Sequence, residues 1–517
     1  MSQIQVNNLT FSYEGSPDLI FDRVSLVLDT DWKLGFAGRN GKGKTTFLRL
    51  LMGDYEYQGT IRTGIRFDYF PYQIKAGDME RRAAELAERW KPFCEEWRVI
   101  CELDRLGVDA EVLYRPFGTL SPGEQTKVML AVLFAGENEF LLMDEPTNHL
   151  DGQARETIQE YLSVKKGFIL VSHDRTLLDA CVDHMLVLNR STIEVQQGNF
   201  TTWEENKLRR DSFARRENEK HLREISKLKK AAAENKKWAE KNESTKIGFD
   251  PVKEHDRCKA TRAYIGAKTK KMQSRVRNME VRMQKEIEEK EGLLQDIENP
   301  AELKLTPLIH RKEVLVRTEK FGMRYRDAGE PLFRDLDLEI RQGERVFLHG
   351  ANGCGKSSLM RAILAASGEG GEMPWEETGR ITLASGLVIS RVSQDTSFLR
   401  GSIADFCRER NLPESLYCAI LRQLDFGREQ FTKSMEDYSE GQKKKALIAA
   451  SLMTPAHLYL WDEPLNYIDV FSRIQIEDMI LRYQPTMLVT EHDRRFREKI
   501  ATRVVEIGNA AGYGKNA

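Results

Sequence analysis

A long internal duplication governs what this chain can fold into. Residues 38–45 read GRNGKGKT and residues 350–357 read GANGCGKS, while 139–148 read EFLLMDEPTN and 457–466 read HLYLWDEPLN. The first pair is offset by 312 positions and the second by 318, so two homologous halves differ by small insertions. A repeat of this size means two domains of one architecture. Each half alternates short β-rich runs with helical ones, and FILVS (168–172) and TMLVT (486–490) have the texture of buried parallel strands. The expected fold is α/β, twice over.

The segment between the halves has another composition. Residues 204–297 hold 26 Lys and Arg against 18 Asp and Glu, a surplus of eight in a chain whose net charge is −1. Helical spacing runs through Leu222, Ile225, Leu228 and Ala232, and again through Met272, Val276, Met279 and Met283. Between them, Gly248-Phe249-Asp250-Pro251 breaks the pattern. The reading is a long helical hairpin. It divides the chain into domains at 1–203 and 299–517, joined by a linker at 204–298, with a helical insertion at about 79–115 in the first domain.

Several classes are set aside by composition. Mean hydropathy is −0.52, and no run approaches the ~18–20 apolar residues of a spanning helix. The first residues, MSQIQVNNLTFSY, lack a secretory pattern, so a cytoplasmic protein without membrane partners is expected. The seven cysteines are scattered, with no CxxC pair, which argues against a disulfide framework or a zinc site. Only 25 residues follow His492, so an extended C-terminal arm is not expected.

The repeated motifs carry phosphate chemistry. KLGFAG and RVFLHG precede the two glycine-rich segments, and TTFLRLLM and SSLMRAIL follow them. A strand, a GxxxxGK[ST] loop and a helix wrap backbone N–H groups around phosphate oxygens at a helix N-terminus. Gly38, Asn40, Gly41, Gly43, Lys44, Thr45 and Thr46 form one such cradle. Gly350, Asn352, Gly353, Gly355, Lys356, Ser357 and Ser358 form the other. The lysines would meet the β- and γ-phosphates, and the hydroxyls of Thr45 and Ser357 would ligate Mg²⁺. The cofactors expected are therefore ATP and Mg²⁺. Asp144 and Asp462 end apolar strands and can hold the metal, and Glu145 and Glu463 are candidates to polarise the attacking water. Both halves retain this Glu, so neither reads as a dead site. His173 and His492 lie just past the next strand and suit γ-phosphate sensing. Gln73 and Gln394 suit contact with metal and water, on the strength of their order along the chain.

LSPGEQ (120–125) and YSEGQ (438–442) resemble the ABC signature LSGGQ. The full order of motifs, with Leu150-Asp151 and Ile468-Asp469 as D-loops, resembles a tandem ABC ATPase over nearly the whole chain. The resemblance implies head-to-tail pairing of the two domains within a monomer. Ser439 and Gly441 would close over nucleotide at Lys44, and Ser121 and Gly123 over nucleotide at Lys356. It also implies that Tyr13 and Tyr325 stack on adenine, whereas taken singly they read as core residues. Pro122 removes one backbone N–H donor from its signature, and Glu440 brings a negative charge to the other. Both are expected to weaken phosphate contact and make the sites unequal.

Tandem cassettes with a helical linker of roughly 95 residues and no membrane spans resemble the ABC-F proteins, which act on ribosomes. LWDEPLNYIDV (460–470) and the Pro-bearing signature are most similar to the Lsa/Vga-like antibiotic-resistance branch. That resemblance implies binding at the tRNA exit site of the 50S subunit, with 23S rRNA and P-site tRNA as neighbours. It further implies protection of the peptidyl-transferase centre against lincosamides, pleuromutilins and streptogramin A. The linker adds its own signal. Arg257, Lys259, Arg262, Lys268, Lys270, Lys271, Arg275 and Arg277 occur without an intervening acid, where a solvated helix would mix signs. They are read as rRNA contacts. Phe249 and Tyr264 either stack on an unpaired base or pack the hairpin tip. A housekeeping translation factor acting on stalled ribosomes and the energising subunit of a transporter remain as alternatives.

Overall fold

The computed structural model describes residues 3–244 and 303–508 apart from short gaps (14–18, 93, 138, 148–149, 151, 190, 327–329, 352 and 369–373), with a few helical residues between 274 and 285. The described chain divides into two units. One joins both repeats, Met1–Trp203 and Pro300–Ala517, and the other is Glu204–Asn299.

Each repeat is built on a largely parallel sheet whose central strands are apolar and buried, because both faces are covered there. In the first, the strand order is Arg66–Phe70, Glu139–Asp144, Phe168–Val171, Lys33–Gly38, His184–Asn189 and Thr192–Gln197. Only the last strand is antiparallel to its neighbour. The second sheet repeats the first five places as Ile389–Val392, Leu458–Asp462, Met487–Thr490, Arg345–His349 and Arg503–Glu506. The strand that ends at the glycine-rich loop lies inside each sheet. The carboxylates of Asp144 and Asp462 sit at the same sheet edge, two strands further on. Ligands of open parallel sheets collect at this carboxyl edge.

An antiparallel layer accompanies each sheet. Gln3–Phe11 pairs with Phe21–Asp29 and Gln58–Arg62 in the first repeat. Val314–Tyr325 pairs with Phe333–Leu336, Glu339–Arg341 and Trp375–Leu383 in the second. The helical stretch at 79–115 contains Ala83–Trp90 and Glu96–Arg105. It recurs in the second repeat as Ile403–Glu409 and Glu414–Gln423, so it is a subdomain shared by both halves.

The helices behind the glycine-rich loops start abruptly. Gly43 and Gly355 cap them with φ of 110° and 98°. A Cβ at Gly43 would lie 2.5 Å from Ile20 Cγ2, and one at Gly355 would lie 2.9 Å from Phe333 Cδ1, so strain and crowding both demand glycine. The signature helices Pro122–Phe134 and Glu440–Met453 begin in capping boxes, with Ser121 and Ser439 accepting from the N–H groups of Glu124 and Gln442. Pro122 occupies the first helical position, where its missing N–H costs the helix nothing.

A continuous helix begins at the end of the first segment and runs into the second unit. Phe200–Ser244 runs for 45 residues, about 68 Å at the usual rise. The proposed tip, 245–262, lies outside the described residues. So do Phe249, Tyr264 and every residue of the basic run except Arg277, which is helical and exposed. Among the described residues, no helix is long and apolar enough to cross a membrane.

Candidate functional site

Around Lys44 the chain builds a cavity of about 610 Å³ from both repeats. Tyr13, Asn40, Gly41, Gly43, Lys44, Thr45, Thr46, Asp144, Glu145 and His173 line it from the first. Ser439, Glu440, Gly441 and Tyr467 line it from the second. Lys44 Nζ donates to the carbonyls of Gly38 (2.7 Å) and Arg39 (3.2 Å) and to Asn40 Oδ1 (3.3 Å). These oxygens hold the ammonium where phosphate oxygens would be met. Thr45 Oγ1 donates to Asp144 Oδ2 at 2.6 Å, which places one hydroxyl and one carboxylate together. That sparse set fits Mg²⁺, which takes few protein ligands and completes its shell with phosphate and water.

Glu145 is drawn into the same space. Its backbone adopts φ 52°, and its Oε1 is buried without a hydrogen-bond partner. His173 Nε2 lies 3.4 Å from that oxygen and 3.0 Å from Asn40 Oδ1. Burial and the adjoining Asp144 carboxylate push Glu145 up to about 8. Burial and the nearby Lys44 and Arg473 cations hold His173 well below the usual imidazole range.

The second repeat closes this site with specific bonds. Asn40 Nδ2 donates to the carbonyl of Tyr467, whose own φ is 62°. A Cβ at Gly441 would sit 2.6 Å from that same carbonyl, so the signature glycine is needed for the close approach. Arg473 Nη1 donates to the carbonyl of His173 (2.9 Å) and to Asp493 Oδ2 (3.0 Å). Arg175 pairs with Glu477 in full burial, and Arg39 meets Asp425 at 3.2 Å. Buried Asp469 accepts from Lys445 Nζ at 2.8 Å; burial pushes the carboxyl up, but the Lys445 charge and bond outweigh it and hold it low.

Lys356 lines a second cavity, also about 610 Å³, with Tyr325, Gly353, Gly355, Ser357, Ser358, Gln394, Glu463 and His492. Its Nζ donates to the carbonyls of Gly350 (2.7 Å) and Ala351 (2.8 Å). Glu463 Oε2 accepts from Gln394 Nε2 (3.0 Å) and Asn466 Nδ2 (2.7 Å), and His492 Nε2 lies 3.6 Å from Oε1. Burial pushes Glu463 up, but His492, Lys444 and Lys356 overcome it and leave the carboxyl below its usual value. Asp462 Oδ1 accepts from Thr490 Oγ1 at 2.5 Å, and Ser357, Gln394 and Asp462 share a smaller neighbouring cavity.

Two sets of expected site residues lie elsewhere in this structure. Ser121 and Gly123 do not line the Lys356 cavity; with Pro122 they line a separate one of about 1020 Å³ built wholly from first-repeat residues. The first repeat contributes Leu150 and Arg155 to the Lys356 cavity in their place. Gln73 is exposed and does not reach the Lys44 cavity. Sheet register explains why. Phe70 pairs with Met143 as Val392 pairs with Trp461, so Tyr72, not Gln73, is the counterpart of Gln394. Tyr72 stacks on Trp90 with its hydroxyl on Asp68, leaving Gln73 outward.

Tyr13 and Tyr325 hydrogen-bond through their hydroxyls to Thr46 (2.7 Å) and Ser358 (3.0 Å), beside the phosphate cradles. Glu440 lines both cavities, bonded to Thr396 and Lys443, so its charge is partly met. Asn352 and Asp151 lie outside the described residues. Sequence reading overlooked Tyr69, whose hydroxyl donates to Asp144 at 3.2 Å, and Tyr467 and Arg473. The repeat held a signal for the last: Arg155 follows Leu150-Asp151 as Arg473 follows Ile468-Asp469, and both donate Nε back to the loop carbonyl.

Comparison with known proteins agrees with this geometry. The "ABC transporter" family model matches residues 21–148 and 333–466. The chain is 27% identical to "Ribosome protection protein VmlR" of Bacillus subtilis (strain 168), over 96% of this chain and 86% of that one. It is 25% identical to "Energy-dependent translational throttle protein EttA" of Haemophilus influenzae (strain ATCC 51907 / DSM 11121 / KW20 / Rd), over 95% and 89%. Among solved structures, archaeal aABCE1, in complex with the ribosomal stalk protein aP1, aligns with a TM-score of 0.60 and 19% identity, over 98% of this chain and 89% of that one. This last likeness is one of fold. The chain belongs to the ABC transporter family, and its two ABC domains in tandem make it an ATPase.

Proposed function

We propose that the chain is a ribosome-associated factor of the ABC-F type that uses ATP to protect the peptidyl-transferase centre. The observation carrying this reading is the Lys44 cavity, where a P-loop from one repeat is closed by the signature of the other in a single chain. The extent of similarity to a ribosome protection protein supports it, as does the 45-residue helix that leaves the first repeat.

In this reading the chain works on the 50S subunit near the tRNA exit site, against 23S rRNA and P-site tRNA, in the cytoplasm. The drugs countered would be of the lincosamide, pleuromutilin and streptogramin A type. Arg257, Lys259, Arg262, Lys268, Lys270, Lys271, Arg275 and Arg277 would meet rRNA phosphates. Lys44 and Lys356 bind the β- and γ-phosphates. Glu145 and Glu463 orient water, while His173 and His492 sense the γ-phosphate. Mg²⁺, held by Thr45 with Asp144 and by Ser357 with Asp462, would neutralise charge on the phosphates.

A variant carrying Glu145→Gln and Glu463→Gln tests the reading. It should bind ATP, lose ~10²-fold or more of its hydrolysis, and sediment with ribosomes in ATP but not in ADP. Failure to co-sediment under both nucleotides would remove the ribosome from the account. The similarity to a translational throttle protein favours one second reading, a housekeeping translation factor. Deletion would then slow growth without any drug.

A further inference from the structure

The helix behind each signature carries different chemistry at one buried position. Lys444 follows Ser439 by five residues, and Thr126 follows Ser121 by the same step. Both side chains are buried, with Lys444 only 3% exposed. Thr126 Oγ1 donates back to Pro122 O within its own helix. Lys444 Nζ instead leaves its helix and donates to the carbonyls of Ser393 (2.9 Å) and Asp462 (3.3 Å).

Those two carbonyls belong to the residues immediately before Gln394 and Glu463. Gln394 and Glu463 are themselves hydrogen-bonded at 3.0 Å inside the Lys356 cavity, which Lys444 also lines. One ammonium thus ties together the two backbone segments whose next residues form the water-facing pair. The first repeat has neither part of the arrangement, since its helix carries Thr126 and its Gln73 is exposed. An ammonium taken out of water needs compensation, and the carboxylates of Asp462, Glu463, Glu491 and Glu440 surround this one.

We propose that Lys444 is a positioning residue for ATP hydrolysis at the Lys356 site, holding Gln394 against Glu463 by clamping the backbone ahead of each. The inference rests on Glu463 being the residue that orients water there. Lys444 acts through that pair and does not touch the phosphates. Its loss should therefore slow turnover without weakening nucleotide binding, because displacement of an orienting group by about 1 Å costs as much as ~10²-fold.

The test uses the full chain in a Glu145→Gln background, so that the Lys356 site is read alone. Lys444→Thr, which installs the first repeat's residue, should lower kcat about 10- to 100-fold with KM within about twofold. Lys444→Arg keeps charge and donors and should retain turnover within about threefold. Lys444→Gln, with one donor group and no charge, serves if the Thr variant does not fold, and should fall between them. Added to Glu463→Gln, Lys444→Thr should cost almost nothing more, since residues acting as a unit are not additive. Unchanged kcat, a loss carried by KM, or a full further loss on top of Glu463→Gln would each overturn the proposal. Should Glu463→Gln alone leave turnover intact, the role of Glu463 falls, and that result is separate from any Lys444 outcome.

Discussion

The Lys44 and Lys356 cavities share a fold and a motif set, yet they are held in opposite ways. The Lys44 cavity is knit across the repeats by Asn40 to Tyr467, Arg473 to His173, and Arg175 to Glu477. Within it, however, among the described residues Glu145 Oε1 accepts no hydrogen bond and Gln73 stays outside. The Lys356 cavity is not lined by Ser121 or Gly123, but within one repeat Gln394 and Asn466 are both bonded to Glu463. The difference teaches that closure and chemical order are separable properties. The first is set by contacts between repeats, the second by hydrogen bonds within one.

On that division, the largest effect belongs to the Lys356 site. Glu463→Gln alone should remove most steady-state ATP hydrolysis, on the order of 10²-fold, while Glu145→Gln alone leaves the larger part. Equal losses in a phosphate-release assay would break the comparison.

A second contrast concerns the clasp. Arg175 is 4% exposed and its partner Glu477 is 0% exposed, whereas the equivalent Arg494 pairs with Glu498 in the open. Removing one member of a buried pair leaves an uncompensated charge and costs about 3 kcal/mol; loss of an exposed pair costs about 0.3–0.5 kcal/mol. Denaturant unfolding of Arg175→Met and Arg494→Met should reproduce that ordering. Lys499, also on Glu477, moderates the larger value.

The smallest effect is one of pH. His349, at the end of the strand leading to the second phosphate loop, accepts from Arg497 through Nδ1 at 2.7 Å, and Ala37 stands at the same place in the first repeat. Burial and the Arg497 charge lower its pKa in the folded chain. Below about 6.5 the unfolded chain therefore binds the extra proton, so stability is complete above that value and falls as pH drops toward the folded pKa. The thermal midpoint should decline from pH 7 to pH 5, and His349→Gln should flatten the decline. An identical slope in the variant would remove His349 from the account.

Much of this was legible from residue order. The duplicated loops marked both glycine-capped turns and the helices behind them, because glycine spacing and a following helix are local properties. Gln73 misled, since chain order does not report sheet register, and Tyr72 takes the place it was given. Lys444 sat unnoticed in a Lys443-Lys444-Lys445 run, which reads as a solvated face until packing buries two of the three. Arg175 and Glu477, 302 residues apart, have no local signal at all. Whether a signature reaches its opposite site is likewise a matter of how the repeats dock.

Tyr467 lines the Lys44 cavity and the Lys356 cavity alike. A nucleotide that shifted this residue at one place would alter the walls of the other, and the two affinities would then be thermodynamically linked. Linkage has no direction at equilibrium: whatever factor the first ligand imposes on the second, the second imposes on the first. A net cycle in one direction through the two occupied states therefore needs the free energy of hydrolysis and cannot come from Tyr467 alone.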